Sequence, residues 1–278
     1  MDHDPRAWFD ATAERMLSHR ARQDELEVVG DLDAFQRDKR RRMLAWLGSR
    51  PVQGRRVLEV GCGAAGNLRF LRQRGARVEG ADISPKMVQL AERLNAERGV
   101  DFPLHVTDGA HLPHADSSFD VVLTVTALQH NLDGPMLDAL VRDIGRVLRP
   151  GGEAWIIEQV HRPRLAFATS VHRTREEYAR MFAACGCREH EFWALHAHYP
   201  SWMARYQRLS TAARRALLRL RGRDLPDEAD FMRRYGDGAT LDGLASSGIL
   251  TASRIADRLH RIPDALGFFV FTKGGAAP

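Results

Sequence analysis

Residues 57–67 read VLEVGCGAAGN, an apolar run that breaks into glycines. Such a run is a β-strand ending in a tight turn, with a helix to follow. Gly61, Gly63 and Gly66 complete the spacing G-x-G-x-x-G, which lets a backbone approach a nucleotide-like ligand at a strand–helix junction. Alone, the motif is also satisfied by a tight turn that holds nothing, so its neighbours must decide.

The rest of the chain supplies a βα rhythm. RRVLEVGC is a strand, AAGNLRFLRQRG a helix and ARVEGADIS a strand. PKMVQLAERLNAERG is a helix that carries Pro85 in its first turn, a favoured place for proline. DFPLHVTDGA and FDVVLTVTAL are strands, MLDALVRDIGRVLRPGG is a helix closed by proline and glycines, and EAWIIEQV is a fifth strand. TREEYARMFAACG is a further helix, CREHEFWALH a sixth strand and GFFVFTK a last one. Mostly apolar strands alternating with helices imply a parallel sheet covered on both faces. Residues 4–48 read as two helices. The first carries a stripe of Trp8, Ala11, Met16 and Leu17, and the second runs from an N-cap at Asp33 to Gly48.

Within this frame Asp82 falls 21 residues after Gly61, at the carboxyl end of the second strand. A carboxylate there accepts hydrogen bonds from a ribose diol, which suits NAD and S-adenosylmethionine equally. Three features separate the two: Glu59 just before the glycines, Asp108 at the carboxyl edge beyond the third strand, and LRPGGEAWII at the reversal into the fifth. A carboxylate at Asp108 can accept from the exocyclic amine of adenine.

The stretches VLEVGCGAAGN, GADISPKMVQLAE, DGAHLPHADSSFDVVLTVTALQH and LRPGGEAWI occur in that order over about residues 55–160. Together they resemble the class I S-adenosylmethionine-dependent methyltransferases, in particular the small-molecule group similar to ubiquinone and menaquinone methylases. One position departs: the family turn usually reads G-x-G-x-G, and here Ala65 holds the third place, narrowing the methionine end of the site. The resemblance implies a Rossmann-like, seven-stranded, mostly parallel sheet of order 3-2-1-4-5-7-6 with helices on both faces. It implies a methyltransferase core over residues 51–196 and 263–278. An N-terminal helical cap covers 1–50, and a helical lid is inserted at 197–262 between strands six and seven.

Residue roles follow from the resemblance. Glu59, Gly61 and Gly63 belong to the cofactor turn, the two glycines meeting the methionine part of S-adenosylmethionine. Asp82 holds the ribose, Ile83 and Met87 flank the adenine, Asp108 takes its amine, and Gly109 N–H its ring nitrogen. Thr124 and Val125 line the sulfonium side. Methyl transfer is an in-line displacement with a neutral thioether leaving, so a base is needed only when the nucleophile is a hydroxyl. Residues that follow strands four and five can reach it: His130 first, then Glu158 and His161, with Gln129 beside them. Acceptor contacts are expected from Trp8 in the cap and from Tyr199, Trp202 and Arg205 in the lid, where Arg208 is a further candidate.

Composition bounds the alternatives. The net charge of +5 and pI near 9.5 could suggest nucleic acid, but all except Lys39, Lys86 and Lys273 of the 41 basic residues are arginine. That skew points to coding-sequence composition rather than to a binding surface. No N/D-P-P-aromatic tetrapeptide of nucleic-acid amine methylases is present. The three cysteines, Cys62, Cys185 and Cys187, form neither a disulfide framework nor a metal knuckle, so no metal is expected. No secretory signal or membrane-spanning run is read, and a cytoplasmic enzyme is expected. Its partner is a small-molecule acceptor, with nucleic acid not favoured and a homodimer left open. An RNA or protein methyltransferase, a non-catalytic cofactor binder of the same fold and an NAD(P) enzyme remain as rival readings.

Overall fold

The computed structural model describes residues 4–18, 34–196 and 264–275. The chain divides into two compact units: Met1–Val29, Leu44–Leu195 and Pro263–Pro278 form one, and Gly30–Met43 with His196–Ile262 the other. The site lies in the first.

Helices α1 (Pro5–Ser18) and α2 (Ala34–Gly48) precede β1 (Arg56–Val60), α3 (Gly66–Arg72), β2 (Arg77–Asp82) and α4 (Pro85–Glu97). Then come β3 (Leu104–Val106), β4 (Phe119–Val125), α5 (Gly134–Val147) and β5 (Leu148–His161). A small hairpin of β6 (Leu165–Ala166) and β7 (Val171–His172), α6 (Arg175–Ala183), β8 (Cys187–His196) and β9 (Asp264–Lys273) complete the described chain.

Seven strands form one sheet in the order β3-β2-β1-β4-β5-β9-β8. The hairpin β6-β7, which the sequence did not announce, shifts the labels; counted within the sheet alone, the order runs 3-2-1-4-5-7-6. Strands β1 to β5 pair in parallel and β9 runs antiparallel to β5. The LRPGG segment belongs to β5 as an irregularity: Phe119 pairs with Leu148, but Val121 already pairs with Glu153.

Alternation along the strands assigns the faces. Ala154, Ile156, Phe269 and Phe271 join Leu140, Ile144, Tyr178 and Phe182 of α5 and α6 in one core. Trp155 and Phe268 point the other way and meet Trp46 of α2, with ring centroids 5.9 and 5.3 Å away. Helix starts are capped by side chains. Ser84 accepts from Met87 N–H ahead of Pro85 on α4, and Thr174 forms a reciprocal box with Glu177 on α6.

The face of α1 differs from the expected stripe. Trp8 and Leu17 are exposed, whereas Ala13 is buried against Ala64, Met87, Leu90 and Leu94, with Phe9 and Met16 packed beside it. Spacing i, i+4, i+7 selects that face. The short carboxylate Asp10 beside it docks on α4 rather than facing water: its Oδ1 accepts from Ser84 Oγ at 2.5 Å and from Lys86 N at 3.2 Å. The expected N-cap Asp33 and the expected lid at 197–262 lie outside the described residues. No helix among the described residues is long and apolar enough to cross a membrane.

Candidate functional site

The carboxyl ends of β1, β2 and β4 converge, and main-chain groups make the floor. After β1 the chain turns at Gly61 (φ +74°) and Gly63 (φ +49°). A Cβ on Gly61 would lie 2.5 Å from the Ala127 Cβ, so only glycine lets the turns after β1 and β4 touch. Gly61 and Cys62 both donate to the Ala81 carbonyl, at 2.8 and 3.1 Å. Ala65, where the family has glycine, is left-handed at φ +60° and fully buried. The turn thus keeps a glycine's backbone with an extra methyl.

Asp82 closes this turn. Its Oδ2 accepts from Gly63 N–H at 2.8 Å and its Oδ1 from Ser84 N–H at 2.9 Å. Burial raises its pKa, and the donated N–H groups of Ser84, Gly63 and Ile83 oppose that rise. A carboxylate has about four acceptor positions. The main-chain N–H groups do not exhaust them, so the carboxylate can accept further donors. Glu59 is nearly inaccessible, and its Oε1 accepts from Asn67 Nδ2 at 2.8 Å, tying β1 to the first turn of α3.

The expected adenine side is only partly assembled as the sequence implied. Ile83 meets Gly109: a Cβ on that glycine, whose φ is +88°, would lie 2.9 Å from Ile83 Cδ1 and 3.4 Å from Met136 Sδ. Met87, expected on the same side, lies on α4. Its side chain is fully buried in the seam between α1 and α4, because the α4 cap turns that face of the helix inward. Asp108 is turned onto its own loop, where Oδ1 accepts from Ala110 N and His111 N and Oδ2 lies 2.8 Å from His111 Nδ1. The His111 imidazole and then these N–H groups hold its carboxyl down to about 2, so it is ionised across the physiological range.

The opposite wall is set by the turn after β4. Thr126 is a β-branched residue at φ +51°, a strained conformation that the sequence did not reveal. It leads into a single 3-10 turn, Leu128–His130. Glu158, expected as an acid–base candidate, is fully buried and holds this turn instead. Its Oε1 accepts from Ala127 N at 2.9 Å and Leu128 N at 2.8 Å, and its Oε2 from Gln129 N at 3.2 Å. Thr124 Oγ1 adds a contact of 3.4 Å, so Thr124 faces Glu158, while Val125 is half-buried at the strand end. Burial pushes the Glu158 carboxyl up to about 7 against those N–H donors and Arg173. Arg173 was not foreseen. It grips the other end of the turn, donating to the carbonyls of Leu128 at 3.1 Å and Asn131 at 3.0 Å.

This clamp presents His130. The carbonyl of Thr169, between β6 and β7, lies 2.9 Å from His130 Nδ1, and Gln129 Nε2 lies 3.3 Å from His130 Nε2. Only an N–H can donate to a carbonyl, so the proton sits on Nδ1 and Nε2 is the acceptor. Trp8 stacks on the ring at 5.9 Å and Phe9 meets it edge-on at 5.3 Å. His161 is not part of this group: its Nδ1 is 2.5 Å from the Pro163 carbonyl and its N–H donates to Arg173 O. The acceptor candidates Tyr199, Trp202, Arg205 and Arg208 lie outside the described residues.

A left-handed glycine turn after β1, a carboxylate ending β2 and the sheet order above agree with the fold expected of a class I S-adenosylmethionine-dependent methyltransferase. Residues 57–152 match the family model described as a methyltransferase domain. Among curated relatives, a ubiquinone biosynthesis O-methyltransferase of Methylocella silvestris is 32% identical over 145 residues, 52% of this chain and 50% of its own length. Methyltransferase GfsG of Streptomyces halstedii is 38% identical over 112 residues, 39% of each chain. The matches thus span half or less of these two relatives. Among solved structures, the cyclase SpnF superposes with a TM-score of 0.55 at 20% identity, covering 84% of this chain and 81% of its own. Phosphoethanolamine N-methyltransferase 2 of Haemonchus contortus, in complex with phosphomonomethylethanolamine and S-adenosylhomocysteine, does so at 0.54 and 17% identity. It covers 86% of this chain and 53% of that one. At such identities the likeness is one of fold.

Proposed function

We propose that this protein transfers a methyl group from S-adenosylmethionine to the oxygen or nitrogen of a small, largely apolar acceptor seated against the surface that His130 and α1 form together. The observation that carries the reading is the Asp82–Gly63 closure of the glycine turn, which leaves carboxylate acceptor positions at the ribose place. Bound S-adenosylmethionine supplies an electrophilic methyl carbon on sulfur, with a neutral thioether as leaving group.

The chain's own residues do the rest. Gly61 and Gly63 admit the donor to the main chain, and Asp82 fixes its ribose. Ile83 and Gly109 border the adenine. Trp8, Phe9 and His130 offer an aromatic wall against which a flat acceptor stacks and sheds water. For a hydroxyl acceptor, His130 Nε2 takes the proton as the new carbon–oxygen bond forms, while Thr169 O holds the opposite N–H. An amine acceptor that is already neutral needs no such step.

The ubiquinone biosynthesis O-methyltransferase relative favours a hydroxylated acceptor of biosynthetic origin. The fold shared with SpnF makes a test of turnover necessary, since fold alone does not fix the reaction. Calorimetric titration with S-adenosylmethionine, S-adenosylhomocysteine and NAD comes first, followed by a mass-spectrometric screen of phenols and hydroxyquinones for a gain of one methyl. Micromolar binding of the first two ligands and methylated product support the reading. Binding of NAD alone overturns the donor assignment, and tight donor binding without any product across hydroxyl and amine acceptors overturns the transferase.

A further inference from the structure

On the α5 side of the sheet, remote in sequence from the glycine turn, Glu79 of β2, His105 of β3 and His114 of the β3–β4 loop converge. One ligand-type atom from each lies within 4.8 Å of the other two. His114 Nε2 is 3.3 Å from Glu79 Oε2, and His105 Nε2 is 3.7 Å from the same oxygen. The two imidazole rings stand edge to face at 4.8 Å and 87°. We propose that these three side chains form a binding site for one divalent transition-metal ion of the zinc class.

Geometry supports the assignment. Metal–nitrogen and metal–oxygen bonds of about 2.0–2.1 Å in a tetrahedron put neighbouring ligand atoms about 3.3 Å apart. The His114–Glu79 separation already matches, and His105 Nε2, 3.7 Å from the same oxygen, must draw in to complete the set. The cluster is short of well-aligned hydrogen bonds. The His114 side chain is only 7% exposed, its Nε2 meets only the Glu79 carboxylate and without hydrogen-bond alignment, and its Nδ1 is buried without a hydrogen-bond partner. His105 Nε2 is likewise buried without one. Two imidazole nitrogens that approach one carboxylate oxygen, and no other acceptor, suit a shared cation between them.

The donor set selects the ion. Two imidazoles and one carboxylate suit zinc, cobalt and nickel, whereas magnesium and calcium want oxygen alone. Glu79 is 20% and His105 33% exposed, so one side opens to solvent and a water can complete the tetrahedron. Arg56 Nη2, 3.3 Å from Glu79 Oε1, orients the carboxylate through its other oxygen. Its charge also weakens the site relative to one with neutral surroundings. The ion would join two strands to the loop after β3, which contains Asp108 and Gly109. Its role is therefore to fasten that loop, and it takes no part in methyl transfer.

The test uses untagged protein stripped with chelator and titrated with Zn²⁺ in competition with a chromogenic indicator. One equivalent is expected to bind and to raise Tm, and Co²⁺ is expected to give the visible bands of tetrahedral coordination. His114→Ala and Glu79→Gln should each weaken Zn²⁺ binding by about tenfold or more, since even second-layer partners are worth that much. His190→Ala, at an exposed histidine elsewhere, should not. Should His114→Ala fold poorly, His105→Gln reads the same site from a less buried position. Absence of a one-equivalent phase, or equal affinity in wild type and the ligand variants, overturns the proposal and leaves a proton-sharing His–Glu–His cluster.

Discussion

Asp82 Oδ2 accepts the Gly63 N–H at 2.8 Å, so the residue expected to hold the donor's ribose also locks the turn expected to receive its methionine part. Binding and preorganisation share one carboxylate. Asp82→Asn keeps the size and one acceptor but loses the charge. Charge-assisted hydrogen bonds are worth about 1.5–3 kcal/mol, so S-adenosylhomocysteine affinity should fall by about tenfold to a hundredfold in calorimetry. Burial raises this carboxyl's pKa, so affinity should also weaken as pH falls through that raised value. Unchanged affinity in the variant would place the ribose elsewhere.

His130 carries the second prediction. Its Nδ1 is tied to Thr169 O, so Nε2 is the atom available to a proton. His130→Gln should leave donor affinity within about twofold and lower turnover of a hydroxyl acceptor by about 10²–10⁴, the usual worth of a general base. A neutral amine acceptor should lose far less. An equal loss for both acceptor types would assign His130 to packing against Trp8 and Phe9.

Glu158 gives a pH signature. Its carboxyl stands at about 7 when folded, against an ordinary value of 4.5. The native state therefore holds a proton that the unfolded chain releases between those two values. Stability should fall as pH rises from 4.5 to 7, by about 3 kcal/mol in this one contribution. Denaturant unfolding of wild type and Glu158→Gln across that range checks it. The variant should lack this component of the slope and, with a loosened turn, lose turnover more than donor affinity. Parallel pH profiles would remove Glu158 as their source.

Thr126 is strained at φ +51°. Left-handed backbone costs a residue with a Cβ roughly 1–2 kcal/mol, and glycine gives back part of that gain through unfolded-state entropy. Thr126→Gly should be neutral to stabilising by about 1 kcal/mol, a rise in Tm of about 2–4 °C at most for a domain of this size. A clear fall in Tm would show that the threonine side chain contributes more than its backbone costs.

Much of the floor was legible because its parts sit on one continuous stretch. Glycines at fixed offsets need left-handed backbone, and a carboxylate after an apolar strand must emerge at the sheet edge. Gly61, Gly63 and Asp82 follow from those two facts. The walls were not legible. Arg173 grips a turn 42 residues earlier and Thr169 fixes a histidine 39 residues earlier, and neither carries a local pattern. Glu158 was placed correctly at the end of β5, yet its role depends on whether it meets solvent or backbone N–H groups, and a sequence does not state burial. The face of α1 was misread. Asp10 is a polar residue whose partner, Ser84, lies 74 residues away, and that bond rotates α1 so that Phe9 and Ala13 go inward.

The junction of α1 with α4 also bears on how such an enzyme changes its diet. The donor floor is built from backbone amides and glycines, where Gly61 tolerates no Cβ beside Ala127. The proposed acceptor wall is built from side chains on a helix held by Asp10, Glu14 and a small apolar seam. Substitutions at Trp8 can accumulate without touching the parts that hold the donor. Selection for new acceptors can therefore proceed on α1 while the chemistry stays constant, which makes libraries confined to its exposed residues an economical starting point for directed evolution.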